Sequence, residues 1–455
     1  MSTRTRPRRT TQIFCASTLY GAVTIAAALD SGRFGPADRR ILLVTDNAPV
    51  PETTPSLDEA EGFARLRGRF DSVLSWNEVI SPLHPGGWTP RASDLPLLQR
   101  HLHRLWDLGD DRVELALESI QVTPALAIAQ LLPEASITVY ADGLMSYGPT
   151  RNKIDPLIGG RVSRLLHLDL VPGLAPLLLG EFGAVPEAVP VEAFTKCVEE
   201  LAGASPSGPS SSGPSSSGPI PAEGPALLLG QYLAALNLLT AAEEEELHLR
   251  MVRGAVARGH RRLVFKPHPT APDAWSRKLV RAAEELGAEL TVEDRPVLAE
   301  VLYRELRPAL VVGCFSTALL TAHTFYGLPV ARVGTRPLLE RLTPFQNSNR
   351  IPLTVVDAVV PPLDGPEGDG PGVGTEELND LVAAVGFAMQ PKIRPELRTA
   401  AVRHLSGPVA ERTRHHFTRR RLTALGLPGG LPLPRHPQVR RLARRALRLR
   451  RALRR

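Results

Sequence analysis

An acidic residue next to a glycine stands at the end of a predicted β-strand. The strand covers 137–141, and Asp142 and Gly143 follow it directly. Glycine allows the chain to turn sharply, so the Asp142 carboxylate would be reachable from a cleft at that edge of the sheet. One interpretation is a catalytic carboxylate. Because Asp-Gly is also a common turn pair, the other interpretation is an ordinary turn.

A histidine between two prolines ends a second predicted strand. This strand, 262–266, runs into the sequence Lys266, Pro267, His268, Pro269. The prolines fix the backbone and remove local hydrogen-bond donors, which would hold the imidazole in one orientation. A histidine here titrates near neutrality and can give a proton or a cationic hydrogen bond to a leaving group. The alternative is a histidine that only ends a strand.

Two hydroxyl residues begin a predicted helix after a third strand. The strand covers 309–313, and Ser316 and Thr317 open the helix 316–326. Free backbone N–H groups and two hydroxyls at a helix N-terminus form an anion site suited to phosphate. Plain N-capping is the alternative, and it explains one hydroxyl but not the second.

Other common ligand motifs are missing from the sequence. No GxxxxGK[ST] and no GxGxxG follows a predicted strand, so a P-loop or a classical dinucleotide site is unsupported. None of the twelve histidines lies in an HxxxH or HExxH pattern, and the three cysteines are too scattered for a zinc site or a disulfide framework. We therefore expect no metal site.

The elements that must position these residues alternate between apolar strands and amphipathic helices. This rhythm predicts an α/β fold with two Rossmann-like domains, 11–202 and 226–360, which enclose a ligand cleft between the carboxyl ends of their strands. Between them, 203–225 contains three tandem five-residue Ser/Gly/Pro units and predicts a flexible linker. Residues 8–14 loosely imitate a twin-arginine signal, but the βαβ rhythm favours a first strand at 11–17.

Charge in the 455-residue chain is concentrated at its two ends. The net charge is +7, with 54 Lys+Arg against 47 Asp+Glu, and only 5% of residues are aromatic. A basic arm occupies 1–10, and nine arginines without an acid lie in 439–455, so the body between them is mildly acidic. This distribution, without a basic groove interleaved with aromatics, argues against a nucleic-acid partner.

The C-terminal part is predicted to be helical. Helices 376–425 follow a Pro/Gly-rich loop, and 436–455 predicts a basic amphipathic helix. Its apolar stripe and arginines suit an anionic membrane surface, and a solvated helical tail is the alternative. No apolar run approaches the roughly 18 residues that span a bilayer. We expect a cytoplasmic protein, peripheral at the inner face of the cytoplasmic membrane.

Taken together, the three motifs resemble those of the bacterial sialyltransferases, most closely the bacterial α-2,8-polysialyltransferase family. Asp142-Gly143, Lys266 to Pro269 and the Ser316–Thr317 pair correspond to its acid-acid-Gly, His-Pro and Ser/Thr motifs, and the similarity covers roughly 11–345. The resemblance implies a GT-B fold, a CMP-sialic acid donor and no metal. The chain departs from the family pattern at its first acid, which is Ala141 here.

The resemblance also implies roles for these residues. Asp142 would be the general base that deprotonates an acceptor hydroxyl, and His268 would protonate or stabilise the departing CMP phosphate. The donor would be held by further residues of the C-terminal domain, with Glu300 placed at the cytidine ribose. These donor-binding residues are Lys266, Pro269, Glu300, Ser316 and Thr317.

Two alternative functions stay open at this level. The Lys-Pro-His-Pro sequence also resembles that of transferases that use CMP-Kdo or CDP-glycerol in capsule or wall polymer synthesis. The chain could also be a non-catalytic scaffold attached to a membrane by its tail. For an enzyme, the partners would be a CMP-sugar donor and a glycan acceptor, either polyanionic or lipid-linked.

Overall fold

Two parallel β-sheets form the framework of the chain, in a computed structural model that describes residues 8–141, 143–203, 224–231, 233–268, 273–365 and 373–431. The first sheet is built from β1 Thr10–Ala16, β2 Arg39–Val44, β3 Ser72–Ser75, β4 Arg112–Leu117, β5 Ser136–Ala141, β6 Val162–Leu168 and β7 Val185–Val189. Their order is β3-β2-β1-β4-β5-β6-β7, and all pairs are parallel. The strand order reverses between β1 and β4, where parallel sheets usually bind ligands.

Helices cover both faces of this sheet. They are α1 Leu19–Asp30, α2 Phe63–Leu66, α3 Trp76–Ile80, α4 Leu95–Leu105, α5 Ala125–Leu131, α6 Pro156–Gly159 and α7 Val191–Ala202. Strand side chains alternate between two apolar clusters: Phe14 packs into one, and its neighbour Ile13 packs into the other. Burial on both faces explains why the central strands are continuous apolar runs.

The edge strand β7 was not among the predicted strands. It pairs with β6 in the register Leu165↔Pro186, and Val185 and Pro186 are exposed. Proline cannot donate a ladder hydrogen bond and is tolerated at an edge, where one side of the strand has no partner. A short, half-exposed segment with proline therefore lacks the apolar run by which the other strands were predicted.

The second sheet has the same parallel design. Its strands are β8 Ala226–Leu229, β9 Arg262–Lys266, β10 Glu289–Val292, β11 Leu310–Gly313 and β12 Val330–Arg332, in the order β10-β9-β8-β11-β12. The helices of this half are α8 Ala241–Ala257, α9 Asp273–Glu285, α10 Ala299–Leu306, α11 Thr317–Tyr326, α12 Thr335–Arg341 and α13 Arg350–Val359. The three motifs thus follow β5, β9 and β11.

Four further helices follow the second half, and the first of them reaches back to the first half. They are α14 Thr375–Met389, α15 Arg398–Ser406, α16 Ala410–Thr413 and α17 Arg419–Leu425. Asn379 of α14 donates from Nδ2 to the Gly173 carbonyl at 2.8 Å, and Gln390 donates from Nε2 to the Arg151 carbonyl at 2.7 Å. The halves also meet directly, since the rings of Phe194 in α7 and Phe325 in α11 are 5.6 Å apart.

The predicted fold class, α/β and GT-B-like with two Rossmann-like domains facing each other across a cleft, is confirmed. Most of the predicted arm 1–10 and linker 203–225, and all of the predicted basic helix 436–455, lie outside the described residues. Within the described ranges, no helix combines the length and the apolar character needed to cross a membrane.

Candidate active site

The first and third motifs touch where the carboxyl edges of the two sheets meet. Leu144, just after the Asp-Gly pair, points its backbone N–H at Thr317 Oγ1, 3.5 Å away. A Cβ built on Gly143 would lie 3.0 Å from the same hydroxyl, so glycine permits this close approach. Asp142 itself lies outside the described residues. Its two neighbours, Ala141 and Gly143, line a cavity of about 270 Å³ at this junction.

The second motif rests on the end of the central strand β8. The Gly230 N–H donates to the Lys266 carbonyl at 2.8 Å. A Cβ on Gly230 would lie 3.0 Å from the His268 nitrogen and 3.0 Å from Pro267 Cα. Only glycine fits at position 230, because a Cβ there would be too close to the backbone of residues 266–268. This close backbone packing fixes the position of the His268 main chain. Pro269 lies outside the described residues.

Both basic groups of the second motif are partly buried. Lys266 donates from Nζ to the Arg295 carbonyl at 3.0 Å. Burial lowers the pKa of Lys266, and the carboxylate of Glu293 opposes that shift. Burial, and then the charge of Lys266, lower the pKa of His268. The imidazole is therefore neutral at pH 7, and an anion bound beside it would raise the pKa again.

The two hydroxyls at the start of α11 have different partners. Ser316 is the N-cap, and its Oγ accepts from the Ala318 N–H at 3.2 Å. Thr317 instead faces the first domain through its contact with Leu144. Capping thus accounts for Ser316, as the sequence suggested, and the second hydroxyl connects the two domains.

Glu300 lies inside the second domain. It is 2% exposed, and its Oε1 accepts a hydrogen bond from Thr321 Oγ1 at 2.6 Å. Burial raises the pKa of Glu300, while the Thr321 hydrogen bond and the charge of Lys266 act against that rise. Among the described contacts, the hydrogen bond between Glu300 and Thr321 connects α10 to α11. The predicted role of Glu300 at the cytidine ribose stays a prediction.

Residues that the motifs did not indicate also line the junction cavity. Glu118 follows β4 directly, and its Oε2 accepts from Ser17 Oγ at 2.6 Å. Arg151 also lines the cavity, and burial lowers the pKa of its guanidinium. The position of Glu118 after an apolar strand is the same signal that singled out Asp142. Arg151 lies in a loop and gave no such signal.

Two other features of the described residues lie away from the motifs. A cavity of about 890 Å³ lies at the amino ends of β8, β9 and β10, and no motif residue lines it. A cluster of Asp357, His415 and His416 has the donor types of a metal site. However, Asp357 already pairs with Arg332 at 2.9 Å and accepts from His415 at 2.6 Å, so we interpret the cluster as a buried polar network.

Comparisons with solved structures find distant likenesses. A UDP-GlcNAc 2-epimerase from Methanocaldococcus jannaschii is 12% identical with a TM-score of 0.41, over 83% of this chain and 99% of that one. A sialyltransferase GT-B domain from Photobacterium damselae is 12% identical with a TM-score of 0.39, over 76% and 96%. A mutant O-GlcNAc transferase from Thermobaculum terrenum is 15% identical with a TM-score of 0.35, over 90% and 66%. Likeness at this level says nothing about what this chain binds.

Comparison with protein families is more specific. No curated protein has a significant match to the chain. A family model described as Alpha-2,8-polysialyltransferase (POLYST) matches residues 12–335, which include all three motifs. The match covers well over half of the 455 residues. The chain therefore belongs to the alpha-2,8-polysialyltransferase family and is a sialyltransferase-like glycosyltransferase.

Proposed function

We propose that this glycosyltransferase moves a sialic-acid-type sugar from a CMP-activated donor to a glycan hydroxyl, with inversion and without a metal. The observation that carries the proposal is the contact between Leu144 and Thr317. It joins the loop that holds the Asp-Gly pair to the helix start that would hold the donor phosphate. An acceptor bound on the first domain and a donor bound on the second would meet there.

The acceptor side supplies the base. Asp142 removes the proton from the acceptor hydroxyl as its oxygen forms a bond to the anomeric carbon of the donor. The bond from that carbon to the CMP phosphate oxygen breaks in the same step. Because the centre passes through an oxocarbenium-like state, attack and departure each need a proton-handling group on opposite faces.

The donor side supplies the leaving-group chemistry. His268, neutral when no anion is near, gives a hydrogen bond or a proton to the phosphate oxygen that departs. The Lys266 ammonium adds positive charge, and Ser316 and Thr317 offer hydroxyls at the N-terminus of the ten-residue helix α11. These protein groups balance the negative charge of CMP, so the reaction does not need a metal ion for that purpose.

The test is CMP release from purified protein given a panel of donors: CMP-sialic acid, CMP-Kdo and CDP-glycerol. We expect turnover of CMP-sialic acid and little of the other two. Asp142→Ala and His268→Ala should each lower that rate by about 100-fold or more, the usual scale for losing a positioned acid or base. His260→Ala, at the turn after α8, is the matched control. Full activity of both motif variants, or a strict need for added magnesium, would refute the proposal.

We also propose that the chain works at the inner face of the cytoplasmic membrane, through the arginines of 439–455. Their charge and the accompanying apolar residues provide both interactions needed for shallow binding to anionic lipid. Cosedimentation with anionic but not neutral vesicles, lost on truncation after Gln438, is the expected result. Equal recovery of both proteins in the supernatant would contradict it.

A further inference from the structure

Arg151 of the first domain lines the junction cavity, at the meeting point of the two domains. Gly143 of the Asp-Gly pair lines the same cavity, and so do Ser348 and Ile351 from the second half of the chain. The side chain of Arg151 is half-buried. A guanidinium therefore lies at the cavity where, in the proposed reaction, the acceptor meets the transferred sugar.

Two glutamine side chains fix the main chain of Arg151. Its N–H donates to Gln121 Oε1 at 2.6 Å, and its carbonyl accepts from Gln390 Nε2 at 2.7 Å. Gln121 lies in the loop after β4 and also lines the cavity, whereas Gln390 directly follows α14. Because both hydrogen bonds are to the backbone, the arginine side chain can be exchanged without removing them. They hold the base of that side chain in one place on the cavity wall.

The guanidinium itself has no countercharge in the part of the chain that the structure describes. Within those residues it makes neither an ion pair nor a hydrogen bond. Glu118 lines the same cavity, but its carboxylate accepts from Ser17 and forms no ion pair with Arg151. The cavity therefore contains a fixed cation that described residues do not neutralise.

Two other half-buried arginines of the first domain show the usual arrangement. Arg164 pairs with Glu187 at 2.7 Å. Arg161 donates to the carbonyls of Leu132 at 2.7 Å and Ala135 at 3.1 Å. Arg151 differs from both of them, since its partner must come from outside the described residues.

The surroundings of Arg151 favour an anionic partner. Met145, Leu178, Ile351 and Met389 give the cavity an apolar lining, and apolar surroundings strengthen the attraction between opposite charges. Burial lowers the pKa of Arg151, and a bound anion would oppose that shift. The planar guanidinium matches a carboxylate with two parallel hydrogen bonds, so a carboxylate is the anion that suits it best.

The proposed reaction brings such a group to the cavity. A sialic-acid-type sugar carries a carboxylate on its anomeric carbon, which is the carbon that reacts. The transferred sugar has this carboxylate, and an acceptor that ends in the same kind of sugar has another. The donor phosphate has its own proposed partners in the second domain, namely Lys266, His268 and the start of α11, so it does not need Arg151.

Resting on the proposed function, we infer that Arg151 binds the carboxylate of a sialic-acid-type sugar in the junction cavity. Its two parallel hydrogen bonds fix the orientation of that sugar beside Gly143. Arg151 is thus a specificity-determining residue, which selects sugars that carry a carboxylate and takes no part in proton transfer.

Binding titrations with the full chain and its Arg151→Gln variant test this inference in two arms. The donor arm compares an unreactive CMP-sialic acid analogue with the same analogue whose carboxylate is converted to the amide. The acceptor arm, with CMP present, compares an oligosialic acid with its terminal amide. In at least one arm the parent should prefer the acid, and the variant should lose about tenfold or more in affinity for the acid and little for the amide. The arm that responds identifies whether the carboxylate belongs to the transferred sugar or to the acceptor.

Two further variants separate the shape of the side chain from its charge. Arg151→Lys keeps the charge but loses the planar fork, so it should bind the acid with an affinity between those of the parent and Arg151→Gln. Arg104→Gln, on the exposed side of α4, removes an equal charge outside the cavity and should change no affinity. If Arg151→Gln changed none of the affinities, or weakened acid and amide equally in both arms, the inference would be overturned.

A CMP titration by thermal shift keeps the inference apart from the proposed function. Equal stabilisation of the parent and of Arg151→Gln by CMP is expected, and it also shows that the variant is folded. If CMP stabilises both proteins but neither arm distinguishes acid from amide, the inference about Arg151 fails and the donor proposal stands. If CMP does not stabilise the parent, the proposed function fails and the inference falls with it.

Discussion

The two sheet edges that meet at the candidate active site are built in different ways. The edge of the second domain, which we call the donor edge after its proposed role, presents short contiguous sequences: Lys266 to His268 in one turn, and Ser316 and Thr317 at one helix start. The edge of the first domain, which we call the acceptor edge after its proposed role, presents single polar residues after separate strands, among them Asp46 and Glu118. One turn and one helix end are enough to hold a nucleotide phosphate. The donor edge is therefore compact, whereas the acceptor edge draws on separate parts of the chain.

The first way to break this comparison is to insert a methyl group at each edge. At the donor edge, a Cβ on Gly230 would lie 2.8 Å from the Lys266 carbonyl oxygen, and backbone atoms there cannot move aside. We expect Gly230→Ala to cost about 1–3 kcal/mol of unfolding free energy, the usual range for overpacking. It should also abolish stabilisation by CMP in a thermal shift assay.

The matched change at the other edge is Gly143→Ala. Among the residues that the structure describes, its Cβ would meet the Thr317 hydroxyl, at 3.0 Å, and a side chain can rotate away. We expect a smaller loss of stability and retention of the CMP effect. Equal damage from the two variants would mean that the edges do not differ in rigidity.

The same difference explains how much of the site could be predicted from sequence. The donor motifs were found because their residues are adjacent in the chain, and their strands β9 and β11 are apolar runs. Glu118 was missed, although it follows β4 as Asp142 follows β5, because one acid after one strand is not a motif. Its place beside Gly143 depends on the pairing of β4 with β5, which no local pattern reports.

Fold predictions show the same division between local and nonlocal information. Predicted strand 262–266 and observed β9 coincide, and predicted helix 316–326 begins one residue before α11 Thr317–Tyr326. Ser316 caps that helix through the Ala318 N–H, and serine at this position is a local signal that the sequence carries. The edge strand β7 and the return of α14 to the first domain rest on tertiary pairing, so the sequence patterns did not predict them.

Removing each hydroxyl at the start of α11 should separate a role within the donor edge from a role between the edges. Thr317→Val keeps the shape of the side chain but removes the acceptor for the Leu144 N–H. We expect kcat/KM for transfer to fall about fivefold, corresponding to about 1 kcal/mol for one lost hydrogen bond.

The control for this change is Ser316→Ala, which removes a helix cap. Its main effect should be a loss of about 1 kcal/mol of stability, because Ser316 Oγ caps the Ala318 N–H within α11. A lower melting temperature with a smaller change in kcat/KM is expected. If Thr317→Val left kcat/KM unchanged, the contact of Thr317 with Leu144 would have no role in transfer.

Acidity should affect donor binding in a defined direction. Burial and Lys266 lower the pKa of His268 in the free protein, and a bound phosphate diester would raise it. Donor binding is then linked to proton uptake, so affinity should increase a few-fold as the pH falls from 8 towards 6. Calorimetric titration with an unreactive CMP-sugar analogue measures this, because its diester does not titrate in that range.

His268→Gln is the control for the pH effect. Glutamine keeps a hydrogen-bond donor but cannot take up a proton, so donor affinity should become flat between pH 8 and 6. If the variant kept the slope of the parent protein, the proton would be bound elsewhere, and His268 would not be the group that responds to the phosphate.

The smallest effect is expected from the segment that joins the two domains. Residues 205–219 are three Ser/Gly/Pro units, and from this composition we expect them to act as a flexible tether. Deleting 210–219 shortens the connection while both sheets keep their own cores. Because loop-closure entropy changes by only about 0.6 kcal/mol per doubling of length, the melting temperature should stay within about 2 °C. CMP stabilisation should also be unchanged, since all three motifs lie outside this segment of the sequence. A larger fall in melting temperature would show that the segment packs on the folded domains. Loss of transfer at unchanged stability would instead show that the acceptor and donor edges need its full length to meet.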